Sequence, residues 1–340
     1  MRSNARYKVA LLGSGSWATA LAKILTENHF HLHWWFRNGE DIQQFRHRRH
    51  HPRYLSSVSF DMRKLTLDTD AGMIIRQSDW VIICIPSAFL KETLDALPPD
   101  IFHGKYVVSG VKGMVAGANV LLNDYLTERF SLPLDHYFSI TGPCHAEEVA
   151  AEKLSYLTIS GTDLRASRRI AGRFVTRYLK TVINNDIWGT QYAAILKNIY
   201  AIGAGIVQGL GYGDNFLSVY IANCALEMTQ FGEAVCRLQH HENDHRNAFS
   251  SACLGDLLVT CYSQYSRNRT FGRMIGKGYS VKSAQLEMNM IAEGYFAAQS
   301  VFEINKQVQT PMPIAAALYE VLWQGRSARE AFHALEKLFV

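Results

Sequence analysis

The N-terminal half of the chain alternates short apolar runs with amphipathic stretches. Tyr7–Leu12 is an apolar run that ends in glycine, Ala18–Glu27 sets Leu21, Ile24 and Leu25 on one helical face, and His31–Phe36 is a second, aromatic-rich run. That switch of period predicts strand, helix, strand. Trp80–Pro86 is nearly all apolar, as a parallel strand buried on both faces must be. Tyr106–Gly110 and Tyr137–Gly142 predict further strands ending in glycine-bearing loops, and Leu154–Ser160 and Thr181–Ile187 predict two more. Strands interleaved with helices imply an α/β fold with a doubly wound parallel sheet.

Beyond about residue 188 the strand signals fade. Thr190–Gln208, Phe216–Cys236, Val281–Met288, Glu293–Gln307 and Ile314–Trp323 all carry helical patterning. The shift places a domain boundary near 185–190 and predicts two domains, residues 1–188 and 189–340, the second all-helical.

The length of 340 residues agrees with two domains. With 48% hydrophobic and 19% charged residues, the chain is neither disordered nor a coiled rod. The formal charge of +5 is too small and scattered for a nucleic-acid partner, and suits an anionic small molecule. Lys197, Asn198 and Gln208 break the longest apolar stretches, which argues against membrane insertion. Six cysteines, at 84, 144, 224, 236, 253 and 261, form no CxxC pair; scattered thiols of this kind point to a reducing, cytoplasmic setting with no metal site. Arg2, Arg6 and Lys8 followed by Val9–Leu12 and Ala18-Thr19-Ala20 imitate a secretory signal, but Gly13–Ser16 interrupts it where such a signal is greasiest.

A glycine loop explains that segment better. Gly13-Ser14-Gly15-Ser16-Trp17-Ala18 matches G-x-G-x-x-G/A between a predicted strand and a predicted helix, the context that makes the motif specific. Gly13 allows the tight turn, Gly15 leaves room for a pyrophosphate, Ala18 permits close helix packing, and the helix N-terminus favours phosphate. The first domain is therefore expected to be a Rossmann-type dinucleotide-binding domain. An NAD-selective site places an acid about 20 residues on. Here His33-Trp34-Trp35-Phe36-Arg37-Asn38 offers none, Glu40 and Asp41 come late, and Arg37 stands where a 2′-phosphate needs a cation, or is a solvated strand-end residue. NADP is the preferred cofactor on this reading, with NAD also admitted.

Lys197 is the only charge in Tyr192–Val207, a stretch apolar almost all round. An ammonium there must shift its pKa, find a partner or snorkel out, so catalysis, structural pairing and surface escape all stand. Leu254-Gly255-Asp256-Leu257, Thr260-Cys261 and Ser266-Arg267-Asn268-Arg269 cluster polar groups in predicted loops; the last supplies a guanidinium, a hydroxyl and an amide suited to a phosphate monoester, or is a solvated loop. Val111-Lys112-Gly113 adds a cation at the carboxyl end of the sheet. Arg46-His47-Arg48-Arg49-His50-His51 reads as a solvated loop, and His240, His241 and His245 as surface residues.

These motifs, in this order, resemble the bacterial-type NAD(P)-dependent glycerol-3-phosphate dehydrogenases over almost the whole chain. Gly142-Pro143-x-x-Ala146-x-Glu148, Leu196-Lys197-Asn198 and Glu293-Gly294 complete the likeness. The resemblance implies reversible reduction of dihydroxyacetone phosphate to sn-glycerol 3-phosphate, feeding glycerophospholipid synthesis, in a cleft between a Rossmann-type and a helical domain. It implies cofactor contacts from Gly13, Gly15, Ser16, Trp17, Arg37, Lys112, Ala146, Arg267, Ile291 and Glu293, and substrate contacts from Lys112, Gly142, Cys144, Lys197, Asp256, Ser266, Arg267 and Asn268. Lys197 matches the catalytic lysine, and a homodimer is implied. The chain departs from the pattern at Cys144, where Ser or Thr is usual, at His145, where Phe is common, and at Leu217 and Asn223, where arginines are usual. A β-hydroxyacid or 6-phosphogluconate-type dehydrogenase and a non-catalytic NADP(H)-binding sensor are the alternative readings.

Overall fold

The computed structural model describes residues 8–238, 250–288 and 292–339. They divide into two units, one of residues 8–111 and 120–187, the other of residues 112–119 and the described residues from 188 onward. Lys112–Asn119, inside the first expected domain, thus packs with the second unit.

The first unit carries β1 (Val9–Leu12), α1 (Ser16–Glu27), β2 (Leu32–Trp35), α2 (Gly39–Arg48), β3 (Leu65–Asp68), α3 (Ala71–Arg76), β4 (Trp80–Ile83), α4 (Ser87–Asp95), β5 (Tyr106–Ser109), α5 (Leu122–Phe130), β6 (Tyr137–Thr141), α6 (Ala146–Ala150), β7 (Ser155–Ser160), α7 (Leu164–Phe174) and β8 (Leu179–Asn184). The eight strands form one sheet in the order β3-β2-β1-β4-β5-β6-β7-β8. This is the Rossmann-type order, extended by two strands. Every residue of β1, β2, β4 and β6 is buried, and β1 and β4 accordingly read as unbroken apolar runs. The sheet is not wholly parallel as expected: β6 and β7 pair antiparallel through Ile140 and Ile159. The five-residue α6 is too short to carry the chain back along the sheet for a parallel return. β8 also lies earlier than expected, and Ile187 already belongs to the next helix.

Side chains cap several helices. Asn38 accepts from Glu40 N to start α2, Asp70 from Met73 N to start α3, and Asp163 from Arg165 N and Ala166 N to start α7.

The second unit is helical, with α8 (Ile187–Leu210), α9 (Asp214–Leu238), α10 (Asp256–Tyr262), α11 (Arg267–Gly276), α12 (Val281–Glu287), α13 (Glu293–Val308), α14 (Pro313–Trp323) and α15 (Ala328–Leu335). α8 has the length and apolarity of a bilayer-crossing helix, yet its most apolar stretch is 83% buried inside the protein. It meets α11 backbone to backbone. A Cβ on Gly205 would sit 2.0 Å from Arg269 O, and one on Gly272 would sit 1.8 Å from Ile202 O. Only glycine permits that crossing, and it brings the start of α11 beside the middle of α8.

Candidate active site

Within the sheet unit, β1 ends in the glycine turn. Gly13 has φ of +110°, and a Cβ there would lie 2.5 Å from Cys84 O at the end of β4. Backbone and packing together therefore require glycine. Gly15 is different: its φ is −75° and nothing lies within 4 Å of the position a Cβ would take. That open space over the N-terminus of α1 fits a pyrophosphate. Gly15 O accepts from Thr19 N and Thr19 Oγ1, so it is spent on starting the helix. Ser16 is buried, and Trp17 packs against Gly110, where a Cβ would meet its Nε1 at 3.0 Å. Arg37 is exposed at the end of β2, its guanidinium 4.6 Å from the centroid of the Phe89 ring. The late acid Asp41 is buried in the first turn of α2 and ion-paired to Arg53.

On the far side of the same sheet, Gly142 follows β6 at φ +109°, a Cβ there meeting Tyr156 O at 3.0 Å. Cys144 and Ala146 are buried in the sheet unit's apolar core.

Within the helical unit the sequence-selected residues converge on the middle of α8. Lys197 is 3% exposed and Asp256, the first residue of α10, is 1% exposed. Lys197 Nζ donates to Asp256 Oδ1 in a buried ion pair. Burial pushes the Lys197 ammonium down to about 8; Asp256 opposes that shift and the positive charge of Lys112 adds to it. Asp256 Oδ2 is buried and has no hydrogen-bond partner among the described residues. Asp256 was expected in a loop; it instead continues a helical turn, Ser251–Gly255, into α10.

Asn198 and Asn268 tie this cluster together. Asn198 Nδ2 donates to Lys112 O at 3.2 Å and to Ala194 O at 3.1 Å. Asn268 Nδ2 donates to Asn198 Oδ1 at 2.9 Å, and Asn268 Oδ1 accepts from Gly294 N at 3.0 Å. Ser266 is buried and caps α11 by accepting from Arg269 N, while Arg267 is exposed in its first turn. Glu293 opens α13, half-buried, and Gly294 lets that helix approach Asn198 O, 2.3 Å from where a Cβ would be. The expected cofactor contact Ile291 lies outside the described residues, as do His240, His241 and His245. Leu217 is buried, and Asn223 donates back to Val219 O on α9.

Sequence reasoning missed two groups. Glu227 is 4% exposed on α9 and accepts from Ile314 N at 2.8 Å, Ala315 N at 2.9 Å and the Tyr200 hydroxyl at 3.0 Å. His51, assigned to a solvated basic loop, is fully buried; of that run, Arg46–Arg48 form the last turn of α2 and Arg49 its left-handed cap.

A dinucleotide-type glycine turn on a Rossmann-type sheet, with a buried lysine–aspartate pair on a helical unit, defines a pyridine-nucleotide-dependent oxidoreductase. Residues 8–167 match the family model for the N-terminus of NAD-dependent glycerol-3-phosphate dehydrogenase, and residues 186–333 that for its C-terminus. The chain is 32% identical over 324 residues to a glycerol-3-phosphate dehydrogenase (NAD(P)+) of Chlorobium limicola, covering 95% of both chains. It is 32% identical over 320 residues to the like-named protein of Staphylococcus carnosus, covering 93% of this chain and 94% of that one. The solved glycerol-3-phosphate dehydrogenase of Coxiella burnetii shares the fold at a TM-score of 0.87, with 24% identity over 97% of this chain and 98% of that chain. The chain belongs to the NAD-dependent glycerol-3-phosphate dehydrogenase family.

Proposed function

We propose that the protein reduces dihydroxyacetone phosphate to sn-glycerol 3-phosphate, reversibly, with NADPH or NADH. The observation that carries this reading is the sealed Lys197–Asp256 pair, with an ammonium brought down to about 8 in a chain of this family. When bound, the reduced nicotinamide supplies a hydride. The protein must orient the ketone and deliver one proton to its oxygen. Lys197 Nζ is the donor: an ammonium near 8 is still charged at neutral pH and gives up its proton more readily than an ordinary lysine. Asp256 holds that ammonium through Oδ1, and its unpartnered Oδ2 accepts from a substrate hydroxyl. Lys112 supplies positive charge beside Lys197 that polarises the carbonyl, and the exposed Arg267 takes the phosphate, whose binding energy orients the reacting carbon. Ser266 and Asn268 set the start of α11 that carries Arg267.

On the cofactor side, Gly13, Gly15, Ser16 and Trp17 hold the pyrophosphate end and Arg37 takes a 2′-phosphate. Asp41, neutralised by Arg53, is not available to select a 2′-hydroxyl, which supports NADPH as the preferred form. The reading extends to a cytoplasmic enzyme that acts as a pair of identical subunits and feeds glycerophospholipid synthesis. Neither a β-hydroxyacid nor a 6-phosphogluconate-type dehydrogenase is favoured: such enzymes tend to place Asn three residues after the lysine, and here Tyr200 stands there, buried and bonded to Glu227. Loss of NADPH absorbance on adding dihydroxyacetone phosphate, repeated with NADH, tests the proposal. Turnover of 3-hydroxyisobutyrate or 6-phosphogluconate instead, or cofactor binding without any turnover, would replace it.

A further inference from the structure

Trp34 lies on β2 beside the glycine turn and is fully buried. In the strand register it stands opposite Leu11 of β1, two residues before Gly13. Its indole is wedged among Phe36, Phe45 and Phe60, at ring-centroid separations of 4.9, 5.4 and 5.7 Å. Packing on three rings holds the indole in one orientation. In that orientation Nε1 donates to Gly13 O at 2.7 Å, a buried hydrogen bond from side chain to backbone across 21 positions of sequence. Phenylalanine would also fill an aromatic nest of this kind; what tryptophan adds there is the N–H.

That bond fixes the peptide group between Gly13 and Ser14. There are no cis bonds among the described residues, and in a trans peptide the N–H points opposite to the C=O. With the carbonyl drawn toward Trp34 on β2, the Ser14 N–H is turned to the β4 side. The strand order β3-β2-β1-β4 reverses direction between β1 and β4, which is where an open α/β sheet keeps its ligand crevice. Ser14 is partly exposed, and its N–H donates to no group among the described residues. Gly13, at φ +110°, has the backbone freedom to let this peptide turn over, so the direction of the N–H needs an anchor. We propose that Trp34 is a positioning residue for the glycine turn: by holding the Gly13 carbonyl inward, its indole N–H presents the Ser14 N–H to the cofactor pyrophosphate.

This proposal rests on the dinucleotide reading of the turn, and the two are separable by experiment. Trp34→Phe removes the N–H and keeps an aromatic ring in the nest. Titrations of wild type and W34F with NADPH and with adenosine 2′-monophosphate, which lacks the pyrophosphate, read the effect. The expected result is a Kd for NADPH raised about tenfold, with the Kd for the monophosphate within about twofold of wild type, as for loss of one hydrogen bond at the phosphates. A merely structural role for Trp34 would not single out the ligand that carries a pyrophosphate. Unchanged NADPH binding in W34F, or equal weakening toward both ligands, overturns the role of Trp34 and leaves the dinucleotide reading in place. Failure of the wild-type protein to bind NADPH overturns both. Amide nitrogen-15 spectra of the wild-type protein give a test that needs no variant: the Ser14 N–H resonance is expected to move with NADPH and to stay in place with the monophosphate. A Ser14 resonance that does not respond to bound NADPH refutes the proposal.

Discussion

Lys197 and Asp256 are 59 positions apart in sequence and meet as a buried ion pair, one from the middle of α8 and the other from the first turn of α10. Asp256 offsets part of what burial costs the ammonium. The pair leaves Lys197 charged but weakened as a base, which suits a group that gives and takes one proton.

Lys197→Ala is expected to lower kcat by about 10²-fold or more while NADPH affinity changes little, because the proposed general acid is lost and the glycine turn is untouched. Steady-state rates with dihydroxyacetone phosphate, beside direct NADPH titration, check it. Turnover near the wild-type rate removes Lys197 from the chemistry.

The pH dependence follows from the same shift. With Lys197 as the proposed proton donor, wild-type kcat should fall as pH rises through about 8. Stability should move the other way: with its folded pKa below the unfolded 10.5, the buried charge costs most below about 8, and that cost is relieved between about 8 and 10.5. Asp256→Asn removes the group that holds the pKa up, so the alkaline limb of the rate profile should move to lower pH. A limb left in place would assign it to another group.

Much of this was legible in the sequence for local reasons. The glycine turn announced itself because a strand, two glycines and a helix must be contiguous, and Lys197 because it is one charge in an apolar helix. Non-local features were hidden. Nothing near Asp256 marks it as buried; the helical turn before it disguises Gly255 as a loop residue. Strand β3 is four residues long with half its side chains partly exposed, too short to stand out. His51 sits at the end of a basic run whose other members face water. The close crossing of α8 and α11 left a small-residue trace, Gly205 and Gly209 against Gly272 and Gly276, that helical periodicity alone does not flag.

Gly13 and Gly15 should separate folding from binding. Gly13→Ala forces a Cβ into Cys84 O at a strained φ, so both thermal stability and NADPH affinity are expected to fall. Gly15→Ala meets no atom and keeps an ordinary φ, so the melting temperature should hold within a few degrees while the Kd for NADPH rises about tenfold or more. Equal loss of stability in both variants would contradict the open cradle at Gly15.

Arg37 gives a test of cofactor choice. Its guanidinium rests over Phe89 at an exposed strand end, and the late acid Asp41 is paired to Arg53. Arg37→Ala should raise the KM for NADPH by about 10–100-fold, the range for a hydrogen bond to a charged group, and leave the KM for NADH nearly unchanged. A parallel loss with both cofactors would place Arg37 elsewhere in the binding of the nucleotide.

Glu227 makes the strongest claim on stability outside the reacting groups. Its carboxylate accepts the first two N–H groups of α14 that need a partner, and the hydroxyl of Tyr200, three residues from Lys197 on α8. Burial nevertheless lifts its pKa from 4.5 to about 7, against the pull of those donors. A carboxyl raised on folding favours the folded state fully below its unfolded value, and that contribution is lost as pH climbs through about 7. Glu227→Gln abolishes the titration while keeping one acceptor oxygen, so the difference in melting temperature between wild type and E227Q should move against wild type from pH 4 to pH 8, across the two pKa values. Glu227→Ala strands the donors and should cost about 3 kcal/mol or more at any pH in that range. A pH-independent gap between wild type and E227Q would mean that the carboxyl does not titrate there and that α14 is held by a permanent charge.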